Sequence, residues 1–184
     1  MKTKIFTFLV LTSFIVLSCK IDKENKEENN NSVPQKEVQK DSEVKIVIEA
    51  IVPKDDVFQI YYTEDGSPNC TEEQSVKAEI KGSEEPQKIT FNIPEEVVMT
   101  YLRIDPGQNP DQGIMKFSRF TYEYFGKKFE IIGSDFFLYF SPTEHLKMDF
   151  NSATLTPTGK GENYDPVLYA QPPFAPELEK ILVQ

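Results

Sequence analysis

The stretch "VKIVIEAIV", residues 44–52, constrains the fold more than any other. Val44, Ile46, Ile48 and Ala50 fall at every second position, and side chains two apart share a face only in an extended strand. The same alternation recurs downstream. "VFQIYY" groups Phe58, Ile60 and Tyr62, "KITFNI" groups Ile89, Phe91 and Ile93, "YLRID" pairs Leu102 with Ile104, and "KKFEII" pairs Phe129 with Ile131. Gly, Pro, Asn and Asp punctuate these runs at short intervals, as antiparallel strands joined by turns require. Half-buried strands of this kind bury their apolar faces by packing two sheets together. The expected class is all-β, an antiparallel β-sandwich over residues 44–170 with one or two short helical turns.

Two details refine that expectation. In "GIMKFSRFTYEYFG", Met115 and Phe117 share one parity while Phe120, Tyr122 and Tyr124 share the other. One extra residue near Ser118 or Arg119, a β-bulge, would bring all of them to one face; a flat break between two strands is the alternative. Helical signals are confined to "GSDFFLYFSP", with Ser134 as N-cap and Phe136, Phe137 and Phe140 turned inward, and to "APELEKIL" within the 171–184 tail, with Pro176 in the first turn.

Upstream of the strands the chain changes character. "MKTK" is a short basic region and "IFTFLVLTSFIVL" an apolar run too short for a permanent membrane span, so residues 1–18 read as a secretory signal. Residues 20–43 mix Lys, Glu and Asn with few large apolar residues. Such a segment cannot bury enough surface to offset its ordering entropy and reads as a disordered tether.

Charge and cysteine content narrow the partners. The whole chain carries a formal charge of −10, and loss of Lys2 and Lys4 with the signal takes it to −12. An acidic protein is poorly suited to nucleic acid or to anionic headgroups. Of the two cysteines, Cys70 stands in the polar stretch "DGSPNCTEE", and His145 is the only histidine and lies far along the chain, so the sequence offers no evident Cys–His pair. Carboxylates are too abundant to be informative, and neighbours such as Asp55 and Asp56 point to opposite faces of a strand. No serine elbow or phosphate-cradling glycine loop is present. The reading is non-catalytic, with no cofactor and no metal.

The segment "DPGQNPDQG", residues 105–113, admits two accounts. Asp105, Asn109 and Asp111 are oxygen donors of the kind calcium prefers, although their spacing is not that of an EF-hand. Asp105-Pro106-Gly107 and Asn109-Pro110-Asp111 are also strong turn sequences, and two turns in series account for the composition without a ligand.

The signal ends in "VLSC", which resembles the lipobox of bacterial lipoproteins. That resemblance implies lipidation of Cys19 and anchorage to a membrane of the cell envelope through acyl chains; an ordinary secreted protein is the alternative. "CKIDKE" loosely resembles the export signal of surface-exposed Bacteroidetes lipoproteins, and an outer-membrane location follows from it, with the periplasmic or surface face open. "LRIDPGQNPDQGIMKFSRFTY", "VPKDDVFQIYYTEDG", "ITFNIP", "FEIIGSDFF" and "NYDPVLY" resemble blocks of the accessory β-sandwich domains beside bacterial glycosyltransferases of cell-surface polysaccharide assembly. The resemblance implies a jelly-roll or carbohydrate-binding-module-like domain. Any enzymatic partner would be a separate chain, since no transferase domain is present here.

Sugars are held by flat aromatic faces and fixed polar groups, and without tryptophan the tyrosines must serve. Tyr61 and Tyr62 point oppositely on a strand, so one of them should be exposed, next to Glu64 and Asp65. Asn163, Tyr164 and Asp165 form a second candidate. Arg103 is either half of a cross-strand salt bridge or a clamp on a glycan. Two functions remain open: a glycan-binding or polysaccharide-assembly accessory module, and a structural or protein-interaction lipoprotein without a small ligand.

Overall fold

The computed structural model describes residues 42–159 and 163–183. Cys19, the signal and the tether up to residue 41 lie outside the described residues. Strands and helices are numbered in chain order. One sheet runs β4 (Ser83–Asn92), β1 (Val44–Val52), β6 (Met115–Tyr124), β10 (Thr154–Pro157) and β9 (Leu146–Asp149), with β7 (Lys127–Ile132) also paired to β6. The other runs β3 (Ser75–Ile80), β2 (Asp56–Thr63), β5 (Tyr101–Asp105), β11 (Leu168–Ala170) and β8 (Phe140–Pro142). All pairings are antiparallel, so the described chain is an all-β sandwich.

Alternation places the core as expected. Val44, Ile46, Ile48 and Ala50 of β1 have no exposed surface, and Phe58, Ile60, Phe91, Leu102 and Ile104 meet them from the other strands. The bulge in β6 falls at Ser118. Arg119 pairs with Glu49 and Phe117 with Ala50, so Ser118 has no partner of its own. Its hydroxyl donates to the Glu49 carbonyl at 2.9 Å, occupying an acceptor where the ladder is interrupted. Met115, Phe117, Phe120 and Tyr122 thereby all face inward.

Phenylalanines fill one end of the core. Phe136 stacks on Phe117 at 4.9 Å and on Phe140 at 4.8 Å, and Phe140 meets Phe120 at 5.3 Å and Phe174 at 5.1 Å. The segment carrying Phe136 is a 3-10 turn, Gly133–Asp135, running into the one-turn helix α1 (Phe136–Tyr139). Ser134 is not its N-cap: it sits inside the 3-10 turn, and no side chain caps either element. The apolar collapse of Phe136 and Phe137 holds this turn instead. The last helix, α2 (Phe174–Leu182), has Pro176 in its first turn and buries Phe174, Leu178 and Ile181 in the same core. Among the described residues no helix is long and apolar enough to cross a membrane.

The chain passes repeatedly between the two sheets. Residues 53–55 carry it from β1 to β2, and residues 106–114 carry it back from β5 to β6. "DPGQNPDQG" is thus a crossover between sheets, not the tip of a hairpin.

Candidate functional site

The 106–114 crossover is fastened to the 53–55 crossover by the carboxylate of Asp56. Asp56 Oδ1 accepts from the backbone N–H of Gln108 at 3.0 Å and of Val57 at 2.9 Å, while Oδ2 accepts from Asn109 N–H at 3.3 Å and Gln112 Nε2 at 3.2 Å. Gln112, only 6% exposed, closes the latch: its Oε1 accepts from Lys54 N–H at 2.7 Å and its Nε2 donates to the Lys54 carbonyl at 3.0 Å. Only one of the two expected turns is closed by backbone, Gln112 N–H to the Asn109 carbonyl at 3.1 Å. Around Gly107, Asp56 takes the place of the first. The carboxylate lies so close that a Cβ on Gly107 would come within 2.2 Å of its carbon, and Gly107 has φ +84°. No group of three or more His, Cys, Asp or Glu suited to a metal exists among the described residues. Asp105 turns instead to Arg103, and Asp111 is exposed. Asp56 is the residue sequence reasoning missed. An Asp at a strand start beside another Asp carries no local signal, and its donors lie more than fifty residues away.

The outer face of the second sheet gathers the chemistry. β5 points Tyr101, Arg103 and Asp105 outward, and the register sets Tyr61 of β2 and Tyr169 of β11 on either side of Arg103. Arg103 Nε donates to Asp105 Oδ1 at 2.7 Å and Nη2 to Oδ2 at 2.6 Å, a two-pronged pair that fixes the plane of the guanidinium. The partner is two residues along the same strand, not across strands as a salt bridge was expected to be. The guanidinium also lies over the Tyr61 ring, 4.8 Å from its centre. That cation–π contact and the Asp105 fork hold a planar donor group in the middle of an aromatic row. Two prongs are used, and the rest of its N–H donors remain for a ligand.

Tyr61 and Tyr62 are both buried, at 8% and 5% exposure, so neither presents a free ring. Tyr62 points into the core. Tyr61 points outward but is roofed by Arg103, and its hydroxyl donates to Glu72 at 2.6 Å. The exposed ring of the row is Tyr169, at 39%, with Tyr101 half-buried beside it. Burial pushes the Asp105 carboxyl above its ordinary value, and the Arg103 fork pulls it back only in part. Asp165 acts electrostatically on both members of the pair. Cys70 lies near Tyr101 and Arg103, and burial raises its thiol, which leaves little of the nucleophilic thiolate.

Tyr101 also forms a wall of an adjoining groove of about 470 Å³, bounded by Glu64–Gly66, Thr100, Ala170–Pro172 and the start of α2. Glu64 and Asp65 stand on its rim, each with one oxygen committed to the backbone: Glu64 accepts from Val98 N–H at 2.9 Å and Asp65 from Ser67 N–H at 2.9 Å. The second candidate set separates. Asn163 is exposed, Tyr164 packs edge-on against His145 at 5.9 Å, and Asp165 alone joins the Arg103 neighbourhood.

The buried phenols make the fold sensitive to alkali. Burial raises Tyr61, Tyr62, Tyr101 and Tyr122, and lifts Tyr164 to about 12. A raised phenol holds its proton in the folded state after the unfolded chain has released it, so stability is intact below pH 10.0 and lost above it. Tyr122, with no exposed surface, alone removes about 1.4 kcal/mol per pH unit in that range. Urea unfolding at about pH 9 and about pH 11 should show the drop, with tyrosinate absorbance appearing only on unfolding. Equal stability at both values would contradict the burial of these rings.

No family model, curated protein or solved structure matches the chain.

Proposed function

We propose that the chain is a lipid-anchored envelope protein without catalytic activity, whose sandwich presents a glycan-binding face to a cell-surface polysaccharide or its assembly machinery. The observation that supports this reading is the aromatic row itself: a guanidinium locked by Asp105 and Tyr61, with the accessible ring of Tyr169 on one side and Tyr101 on the other. Sugar rings stack on such faces while a fixed donor fork reads their hydroxyls. The groove beyond Tyr101 falls in the size range of small-molecule sites. "LSC" supports the anchor at Cys19, since each buried acyl methylene contributes ~0.8 kcal/mol to membrane attachment.

Two measurements test the two halves. Cells fed a fatty-acid analogue should label the protein, and Cys19→Ala should abolish the label. On a glycan array the mature protein should retain a defined set of glycans, and Tyr169→Ala combined with Tyr101→Ala should weaken binding by at least about tenfold, or ~1.4 kcal/mol. Loss of binding with an unchanged melting profile assigns those rings to the ligand. A wild-type protein that retains no glycan sinks the binding half, and an unlabelled one sinks the anchor.

A further inference from the structure

We infer that this face selects sugars carrying a free amine and turns acidic sugars away, an inference that rests on the glycan reading above. The first ground is the charge balance at Arg103. Its positive charge is matched by Asp105 at 2.6 and 2.7 Å, so it offers donors but no net charge to a carboxylate or sulfate. Glu72, which accepts from Tyr61 at 2.6 Å, and Asp165 both act on that pair, which makes the neighbourhood negative. An anionic ligand would be placed among like charges, and like-charge juxtaposition suppresses binding strongly.

The second ground is the groove that shares Tyr101. No lysine or arginine lines it, while Glu64, Asp65 and Glu179 do. Among the described residues none of these three forms an ion pair. Glu64 and Asp65 each keep one oxygen beyond the one their backbone amide occupies. Ala170 and Phe174 add an apolar floor. A sugar ring laid against Tyr101 therefore carries its substituents toward carboxylates. A protonated amine there gains charge-assisted hydrogen bonds and the attraction of the Tyr101 face. An N-acetyl group at the same carbon gains neither.

Calorimetric titration of the full mature protein with three tetrasaccharides separates the possibilities: fully deacetylated chitosan, its N-acetylated counterpart, and galacturonate. With its amines protonated, the chitosan tetramer should bind at least about tenfold tighter than the acetylated one, an advantage that shrinks as salt rises. The galacturonate tetramer should not bind measurably. The Glu64→Gln, Asp65→Asn, Glu179→Gln triple variant keeps the oxygens that accept from Val98 and Ser67. It should erase the amine preference and leave the acetylated affinity in place. Equal affinity for the first two, or binding of galacturonate as tight as either, overturns the selectivity while leaving the glycan face intact. Failure of every glycan, on the array as well as in the calorimeter, overturns the glycan reading itself and the selectivity with it.

Discussion

Gly107→Ala is expected to destabilise the domain by about 3–5 kcal/mol, a loss far beyond that of a typical surface substitution. Two causes add. Gly107 has φ +84°, a left-handed backbone that costs a residue with a Cβ about 1–2 kcal/mol. The new Cβ would also fall 2.2 Å from the carboxyl carbon of Asp56, so that side chain must rotate away. Rotation releases the N–H groups of Gln108 and Asn109 and the Gln112 amide together. Bonds to an ionised acceptor each contribute about 1.5–3 kcal/mol, less where water reaches the donors. Asp56→Ala by itself should cost about 2–3 kcal/mol on the same grounds. In that background the clash is gone, so Gly107→Ala should cost only its backbone share, about 1–2 kcal/mol. Urea unfolding of both single variants and the double variant measures the coupling directly. Strict additivity, or a Gly107→Ala cost under about 1 kcal/mol, would show that Asp56 does not organise the crossover.

Phe140→Ala carries the other large effect. Phe140 has no exposed surface and touches Phe136 at 4.8 Å, Phe174 at 5.1 Å and Phe120 at 5.3 Å. Truncation removes the ring's transfer free energy and leaves a cavity among stiff rings that cannot close it, so about 3–5 kcal/mol should be lost. That is a large fraction of the ~5–15 kcal/mol a domain ordinarily holds. Because Phe174 belongs to α2, protection of the α2 amides from hydrogen exchange should fall with it. Phe140→Leu, which keeps most of the volume, should cost distinctly less. A Phe140→Ala variant within about 1 kcal/mol of wild type would mean the ring cluster is not closely packed.

The strands were legible in the sequence because burial follows strand parity, and parity is a local property. Even the Ser118 bulge showed itself, as a break in the phase of "MKFSRFTYEY". What stayed hidden depends on long-range partners. Tyr61 was expected to trade exposure with Tyr62. Pleat direction alone does set them on opposite faces, but the roof over Tyr61 comes from Arg103, more than forty residues away. Arg103 in turn pairs along its own strand with Asp105, a spacing of two that reads as ordinary alternation. Glu64 and Asp65 were visible as acceptors, but not that each would spend an oxygen on a loop amide. The roles of Tyr169 and Tyr101 emerge only from the order of the strands, which sets β11 and β2 on either side of β5.

The pairing of β1 with β6 has a kinetic consequence. Val44 lies opposite Tyr124 and Ile48 opposite Phe120, so the central pair of the larger sheet joins residues separated by most of the domain's length. β2 likewise waits for β5, and β5 for β11. Closing such long loops must precede the contacts that reward it, which places folding on a millisecond-to-second scale and makes it a late event. A ribosome or a translocation channel releasing this chain from its N-terminus would hold β1 unpaired on its β6 side until residue 124 had emerged. The apolar strand that most clearly announces the fold is thus also the one left waiting longest, and the risk of misassociation is greatest during that interval.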